Sequence, residues 1–184
     1  ELIETNTFGA NAIKLAEYGL ASRCREINRE AAKLAKKAAG GRAFVGGDIS
    51  SAGKLVEPMG EASYDEIYAS YVEQIKGLEE GGADLLIIET MTDVQEAKIA
   101  LNAAKAHSKL PVLCSISFEE NGSTISGSSV TAGLATLAAH GADIVGANCG
   151  LGPVQMISIF KKHISELKSL GVPLSVWSNA GLPQ

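Results

Sequence analysis

Six short apolar runs, most of them closing on polar residues, alternate along this chain with longer stretches whose apolar positions recur every three or four residues. The short runs predict strands over Leu2–Thr5, Ala43–Ile49, Asp84–Thr90, Pro111–Phe118, Asp143–Asn148 and Pro173–Ser178. The longer stretches predict helices over Ala10–Gly19 with Arg23–Ala39, then Tyr64–Glu80, Asp93–His107, Ala132–His140 and Val154–Leu170. Ser63 and Asp93 stand where helix N-caps are expected, and Ser63 with Glu66 fits a capping box. Glycines close several helices, and three helix-to-strand joints resemble one another: Gly81-Gly82-Ala83-Asp84, Gly141-Ala142-Asp143 and Gly171-Val172-Pro173.

Runs such as Leu85-Leu-Ile-Ile88 are apolar at every position, as parallel strands covered on both faces require. Six consecutive strand–helix units suit either a doubly wound sheet or most of an eight-stranded barrel. No Gly-x-Gly-x-x-Gly follows a strand, which disfavours dinucleotide binding. Thr5-Asn6, Asp48, Glu89-Thr90, Ser117 with Glu119, Asn148-Cys149 and Ser178-Asn179 all fall at C-terminal strand ends, and a barrel gathers such ends into one ring. The predicted fold is therefore α/β, a partial TIM (β/α)8 barrel of about six units in one domain spanning residues 1–184. Because Glu1 opens directly into a strand and the chain stops just past another, a fragment lacking the first and last barrel strands is expected.

Composition narrows the partners. The formal net charge of -5 gives no basic footprint for nucleic acid, and no apolar run or leader pattern points to a membrane. Three widely spaced cysteines do not form a disulfide framework and suit a reducing cytoplasm.

Among candidate chemical groups, Cys149 follows an amide and precedes a glycine loop; a nucleophile, a soft metal ligand and a small buried hydrophobe all remain open for it. Glu89 ends a run of four apolar residues, so a partly desolvated carboxylate is expected, able to hold an ammonium or act as a base, or else to form a structural ion pair. Asp48 follows two glycines and suits acid–base work or loop stabilisation equally. Asn148 and Asn179 are strand-end amides, useful for ligands and for turns. Cys24 and Cys114 read as packing residues. His107, His140 and His163 lie toward predicted helix C-termini, away from every strand end, which argues against a histidine-based triad.

One set of ordered segments carries a resemblance over the whole chain: Glu4-Thr-Asn-Thr-Phe-Gly9 with Lys14-Leu15 and Tyr18-Gly-Leu20; Gly47-Asp-Ile-Ser50 with Gly53-Lys-Leu55; Ile88-Glu-Thr-Met-Thr-Asp93; Ser117-Phe118 with Gly122 and Gly127; Gly146-Ala-Asn-Cys-Gly150 with Gly152-Pro153; and Ser178-Asn-Ala-Gly-Leu-Pro183. In these it resembles the homocysteine S-methyltransferase domain family, and looks closest to the N-terminal homocysteine-binding module of cobalamin-dependent methionine synthase. The resemblance implies methyl transfer to the zinc-activated thiolate of homocysteine, giving methionine, with zinc held by three thiolates. One of these maps onto Cys149; the other two belong to a Gly-Gly-Cys-Cys-Gly segment that these residues lack, as they lack the family's Asp-Gly-Ala loop. Glu89 is implied to hold the homocysteine amino group, with Asn148 and Thr5 as further substrate-binding residues and Asn179 as a weak oxygen ligand to the metal. No catalytic residue is assigned. The methyl donor is expected on another module, as methylcobalamin, or as a small molecule. The parent chain is then a methyltransferase and this segment alone is expected to be inactive. Two alternatives stay open: a different barrel enzyme using strand-end carboxylates for acid–base chemistry, and a catalytically inert scaffold.

Overall fold

Alternation along parallel strands sorts this chain's side chains onto two faces, which differ in chemistry at the C-terminal end of the sheet. The computed structural model describes residues 1–181. Its strands are β1 (Leu2–Glu4), β2 (Phe44–Ile49), β3 (Leu85–Met91), β4 (Val112–Ile116), β5 (Ile144–Asn148) and β6 (Leu174–Trp177). Its helices are α1 (Ala12–Ala16), α2 (Cys24–Ala39), α3 (Tyr64–Glu80), α4 (Val94–His107), α5 (Val130–Ala139) and α6 (Pro153–Lys168), with a 3₁₀ turn at Ala21–Arg23. All five strand pairings are parallel and run in sequence order from β1 to β6, in a curled half-barrel. A doubly wound sheet would reverse its order at a switch point, so that option is excluded.

The register fixes the faces. Ile49, Leu86, Ile88, Cys114, Ile116, Val145 and Ala147 join the buried cluster formed with helix residues such as Ile75, Ile99, Leu134 and Phe160. On the other face, Ile87 and Leu113 fill the lower part of the curl, and the polar residues Glu4, Asp48, Glu89, Ser115 and Asn148 occupy its C-terminal end. Cys114 thus faces the helices, which settles it as core.

The recurring Asp at the strand starts has a mechanical role. The Asp84 carboxylate accepts from the Val45 N–H at 2.7 Å and from Lys36 Nζ at 2.8 Å. Asp143 repeats the arrangement with the Val112 N–H at 2.9 Å and Lys105 Nζ at 3.1 Å. Each carboxylate staples the start of one strand to the start of the strand before it.

Local signals resolve with three adjustments. The first helix contracts from Ala10–Gly19 to Ala12–Ala16, because Asn11 caps it from the front and Gly19 turns left-handed behind it (φ 70°). The capping box is half formed: the Ser63 hydroxyl accepts from the Glu66 N–H at 3.2 Å, but the Glu66 carboxylate goes to Lys54 instead, at 2.8 Å. His163 lies inside α6, beside Glu166, rather than in its last turn.

Helices α2 and α3 approach closely because α3 carries glycine at the contact. A Cβ on Gly77 would fall 2.9 Å from Asn28 Cβ and closer still to the Arg25 carbonyl oxygen. Alanine in an exposed helix interior normally stabilises by about 1 kcal/mol relative to glycine. Here overpacking should reverse the sign, so Gly77→Ala is expected to destabilise the protein by roughly 1–3 kcal/mol. Urea unfolding would show it; a variant as stable as the wild type would mean that α2 and α3 separate freely.

Candidate functional site

The C-terminal ends of β3 and β5 meet through one side chain, Asn148. Its Oδ1 accepts from the Thr90 N–H at 2.8 Å and from the Ser115 hydroxyl at 2.6 Å. Its Nδ2 donates to Glu89 Oε2 at 2.6 Å and to Thr90 Oγ1 at 2.7 Å. Asn148 is 2% exposed, so these bonds lie in a protected environment where they are strong and costly to break. Cys149 follows directly, its Sγ 3.4 Å from Asn148 Nδ2 and 3.5 Å from the Thr90 hydroxyl. Thr90 (φ 54°) and Cys149 (φ 57°) are the two non-glycine residues with left-handed backbone among those described. A β-branched residue pays a steric penalty there, and such strain persists where the surroundings over-determine it. The left-handed turns swing the Thr90 side chain and the Cys149 thiol toward each other.

Three carboxylates share this end of the sheet: Glu4, Asp48 and Glu89. Among the described residues none of them pairs with a lysine or arginine. Asp48 is 5% exposed, and among the described residues its Oδ1 has no hydrogen-bond partner. Burial, reinforced by the negative charges of Glu89 and Glu4, pushes its carboxyl up to about 8. Glu89 is also raised, by burial first and by Glu4 second; burial raises Glu4. A carboxyl whose folded pKa lies above its unfolded value contributes stability below the unfolded pKa that is lost as pH rises through the folded one. Asp48→Asn cannot ionise. It is expected to melt at a higher temperature than the wild type at pH 8 and at nearly the same temperature at pH 4, which paired thermal melts would check. Equal melting at pH 8 would mean that Asp48 is ionised there without penalty.

A second buried acid shows what a structural carboxylate looks like in this fold. Glu96, 3% exposed, accepts from the Ala52 N–H at 2.6 Å, the Ser51 hydroxyl at 2.8 Å and the Tyr71 hydroxyl at 2.8 Å. It ties the loop after β2 to α3 and α4, at the rim of the same end.

Of the residues singled out by sequence, Glu89, Asn148 and Cys149 come together and Asp48 joins them. The Thr5 hydroxyl lies 2.6 Å from Thr7 Oγ1 and accepts from the Asp48 N–H at 3.0 Å, fastening the end of β1 to β2 beside Asp48. Asn179 is exposed beyond β6, its N–H donating to the Leu151 carbonyl at 2.9 Å. Leu182 and Pro183 of the last matching segment lie outside the described residues. Cys24 is buried, and burial pushes its thiol up to about 12; Cys114 is fully buried and raised further for the same reason. His140 pairs with Asn102 and His163 with Glu166, on outer helices. Thr90 stands out in sequence as a strand-end residue without a role, and Ser115 does not stand out at all; a lone hydroxyl inside an apolar strand is the signal that points to it.

The donor set for zinc falls short. Around Cys149 Sγ stand the Thr90 hydroxyl, whose oxygen already accepts from Asn148 Nδ2, and the Asn148 amide N–H, which has no lone pair to give. Among the described residues no three His, Cys, Asp or Glu are arranged to hold a metal ion. One thiolate alone does not fit a zinc site, which takes three or four protein ligands.

Comparison with known proteins adds the following. The profile of the homocysteine S-methyltransferase family matches residues 1–184. The methionine synthases of Mycobacterium leprae (strain TN) and Mycobacterium tuberculosis (strain ATCC 25618 / H37Rv) are 32% and 31% identical to the chain over 194 aligned residues, covering all of it. The chain spans 16% of the length of each. In fold it is similar to the metallated form of the Escherichia coli homocysteine methyltransferase MmuM, with a TM-score of 0.74, 16% identity, and coverage of 99% of this chain and 76% of that one.

Proposed function

The chain belongs to the homocysteine S-methyltransferase family, and from that premise we propose that residues 1–184 act as the homocysteine-binding barrel domain of a methionine synthase-type methyltransferase. The observation that carries this reading is the Glu89–Asn148–Cys149 constellation, lying on the family's own segments at one end of the sheet. Glu89 anchors the substrate ammonium by a charge-assisted hydrogen bond. Asn148, with every hydrogen-bonding position of its amide occupied, orients Glu89 rather than touching substrate. Cys149 is the one thiolate that these residues offer to zinc, and completing that site needs thiolates beyond the described donor set. The methyl donor is methylcobalamin presented by another module. No helix among the described residues is long and apolar enough to cross a membrane, and the free thiols suit a cytoplasmic enzyme.

The test is methionine formation from homocysteine and methylcobalamin by the full-length protein. Cys149→Ser is expected to abolish it. Glu89→Gln is expected to raise KM for homocysteine by roughly 10- to 100-fold, the worth of one hydrogen bond to a charged group. The raised carboxyl of Asp48 favours a second reading, a barrel that transfers protons between strand-end carboxylates. Activity that survives Cys149→Ser but not Asp48→Asn would select it.

A further inference from the structure

Asp48 and Glu96 are buried to nearly the same degree, yet one is saturated with donors and the other has an oxygen that bonds to nothing. An ionised carboxylate left in that condition is among the costlier arrangements a protein can hold. The register makes the arrangement specific: Asp48 pairs with Ile87, so Glu89 lies one step further along the same face of the neighbouring strand, within reach of the Asp48 carboxyl. Of titratable groups, the pair is faced by Glu4 from β1 and by Cys149 beyond Asn148 on β5. Ser115 on β4 and Gln74 on α3, whose Nε2 is 3.3 Å from the Asp48 carbonyl, do not titrate. Among the described residues no lysine or arginine pairs with either group, so the two carboxyls call for a proton or for a ligand's positive charge.

We infer that Asp48 and Glu89 form a two-carboxylate pocket that holds one proton when empty and exchanges it for the ammonium group of the amino-acid substrate. The inference rests on the homocysteine reading and adds to it a partner for Glu89 and a proton that leaves to solvent on binding. The balance closes: a protonated Asp48 beside an ionised Glu89 carries one negative charge, and two carboxylates around an ammonium carry the same. An ammonium suits the geometry because it offers three donors from one compact centre. It can bond to Asp48 Oδ1 and to Glu89 while Asn148 keeps its hold on Glu89 Oε2. The raised Asp48 carboxyl is consistent with a resident proton at neutral pH.

Calorimetric titration of the full-length protein with methionine tests this. Methionine carries the same ammonium but has no thiol proton to release. At pH 7, in buffers of different ionisation enthalpy, the wild type is expected to release about one proton per methionine bound, with affinity rising about tenfold per pH unit between pH 6 and 7. Asp48→Asn, which places an amide donor where the protonated carboxyl stood, is expected to bind methionine with no proton released and no such slope. Binding by the wild type without proton release, or equal release by both proteins, would overturn the exchange and leave the homocysteine reading standing. A folded protein that does not bind methionine at all would overturn both.

Discussion

Asn148→Asp is expected to cost about 3 kcal/mol of stability at neutral pH, a large loss for a change of one atom type. The wild-type Nδ2 donates to Glu89 and to Thr90 Oγ1; an oxygen there would face the Glu89 carboxylate at the present 2.6 Å with nothing to donate. A buried carboxylate and the half-buried Glu89 at that distance disfavour joint ionisation strongly, so the new group must take a proton or push the strand ends apart. Its folded pKa would therefore stand above the unfolded value. The sign follows: the variant should be nearest to wild type at about pH 4 and fall further behind as pH rises. The damage should also be local, because Thr90 and Cys149 hold their left-handed turns against the same amide. Urea unfolding at two pH values measures the first effect. A loss under 1 kcal/mol, independent of pH, would show that Asn148 does not hold the two strands together.

Gly146→Ala is expected to be at least as severe. A Cβ on Gly146 would lie 2.8 Å from the Ser175 carbonyl carbon and 3.1 Å from Ser175 Cα, and inside the contact distance of the carbonyl oxygen. All three are backbone atoms of the paired strand, so no side chain can rotate away. Relief requires β6 to leave β5, breaking pairings from Val145 with Leu174 to Asn148 with Trp177. It would also release the Cys149 N–H, which donates to the Trp177 carbonyl at 3.1 Å. Overpacking usually costs 1–3 kcal/mol; against rigid backbone, about 3 kcal/mol or more is expected. Gly171→Ala is the control. That position is open but left-handed (φ 73°), and about 1 kcal/mol is expected there. Equal melting temperatures for the two variants would refute the packing argument.

The strands could be read from sequence because β3, β4 and β5 lie between two apolar surfaces and carry nearly unbroken apolar runs. Their bounds differ from the expected ones by a residue or two, at ends where pairing fades. The placement of Cys149 and Glu89 at one end of the sheet was legible for a related reason: a strand end in this architecture is a fixed address. The role of Asn148 was not. Whether an amide binds substrate or holds its neighbours depends on how many of its bonds are already made, and Thr90, 58 positions away, makes two of them. Nor could the chain announce the left-handed turn at Thr90, since threonine is an unfavourable residue for it. Asp48 was legible as a strand-end acid, but its lack of a basic partner on β1 or β3 is a property of the assembled sheet. Thr5 holds the predicted strand-end position, and the bond its hydroxyl accepts from the Asp48 N–H across to β2 was not legible in sequence.

The aspartate staples at Asp84 and Asp143 bear on how such a sheet is assembled. Each one closes a loop between a strand start and the strand start before it, separated by 39 and 31 residues. Each such loop spans a single strand–helix unit, and closure entropy grows only slowly with length. Among the described strands, pairing therefore does not wait for a distant partner: β3 can dock once α3 has followed β2, and β5 once α5 has followed β4. A parallel sheet would ordinarily fold slowly because its contacts are remote in sequence. Here the rate-limiting search is divided into short, repeated ones, and assembly can advance along the chain in the order in which a ribosome delivers it.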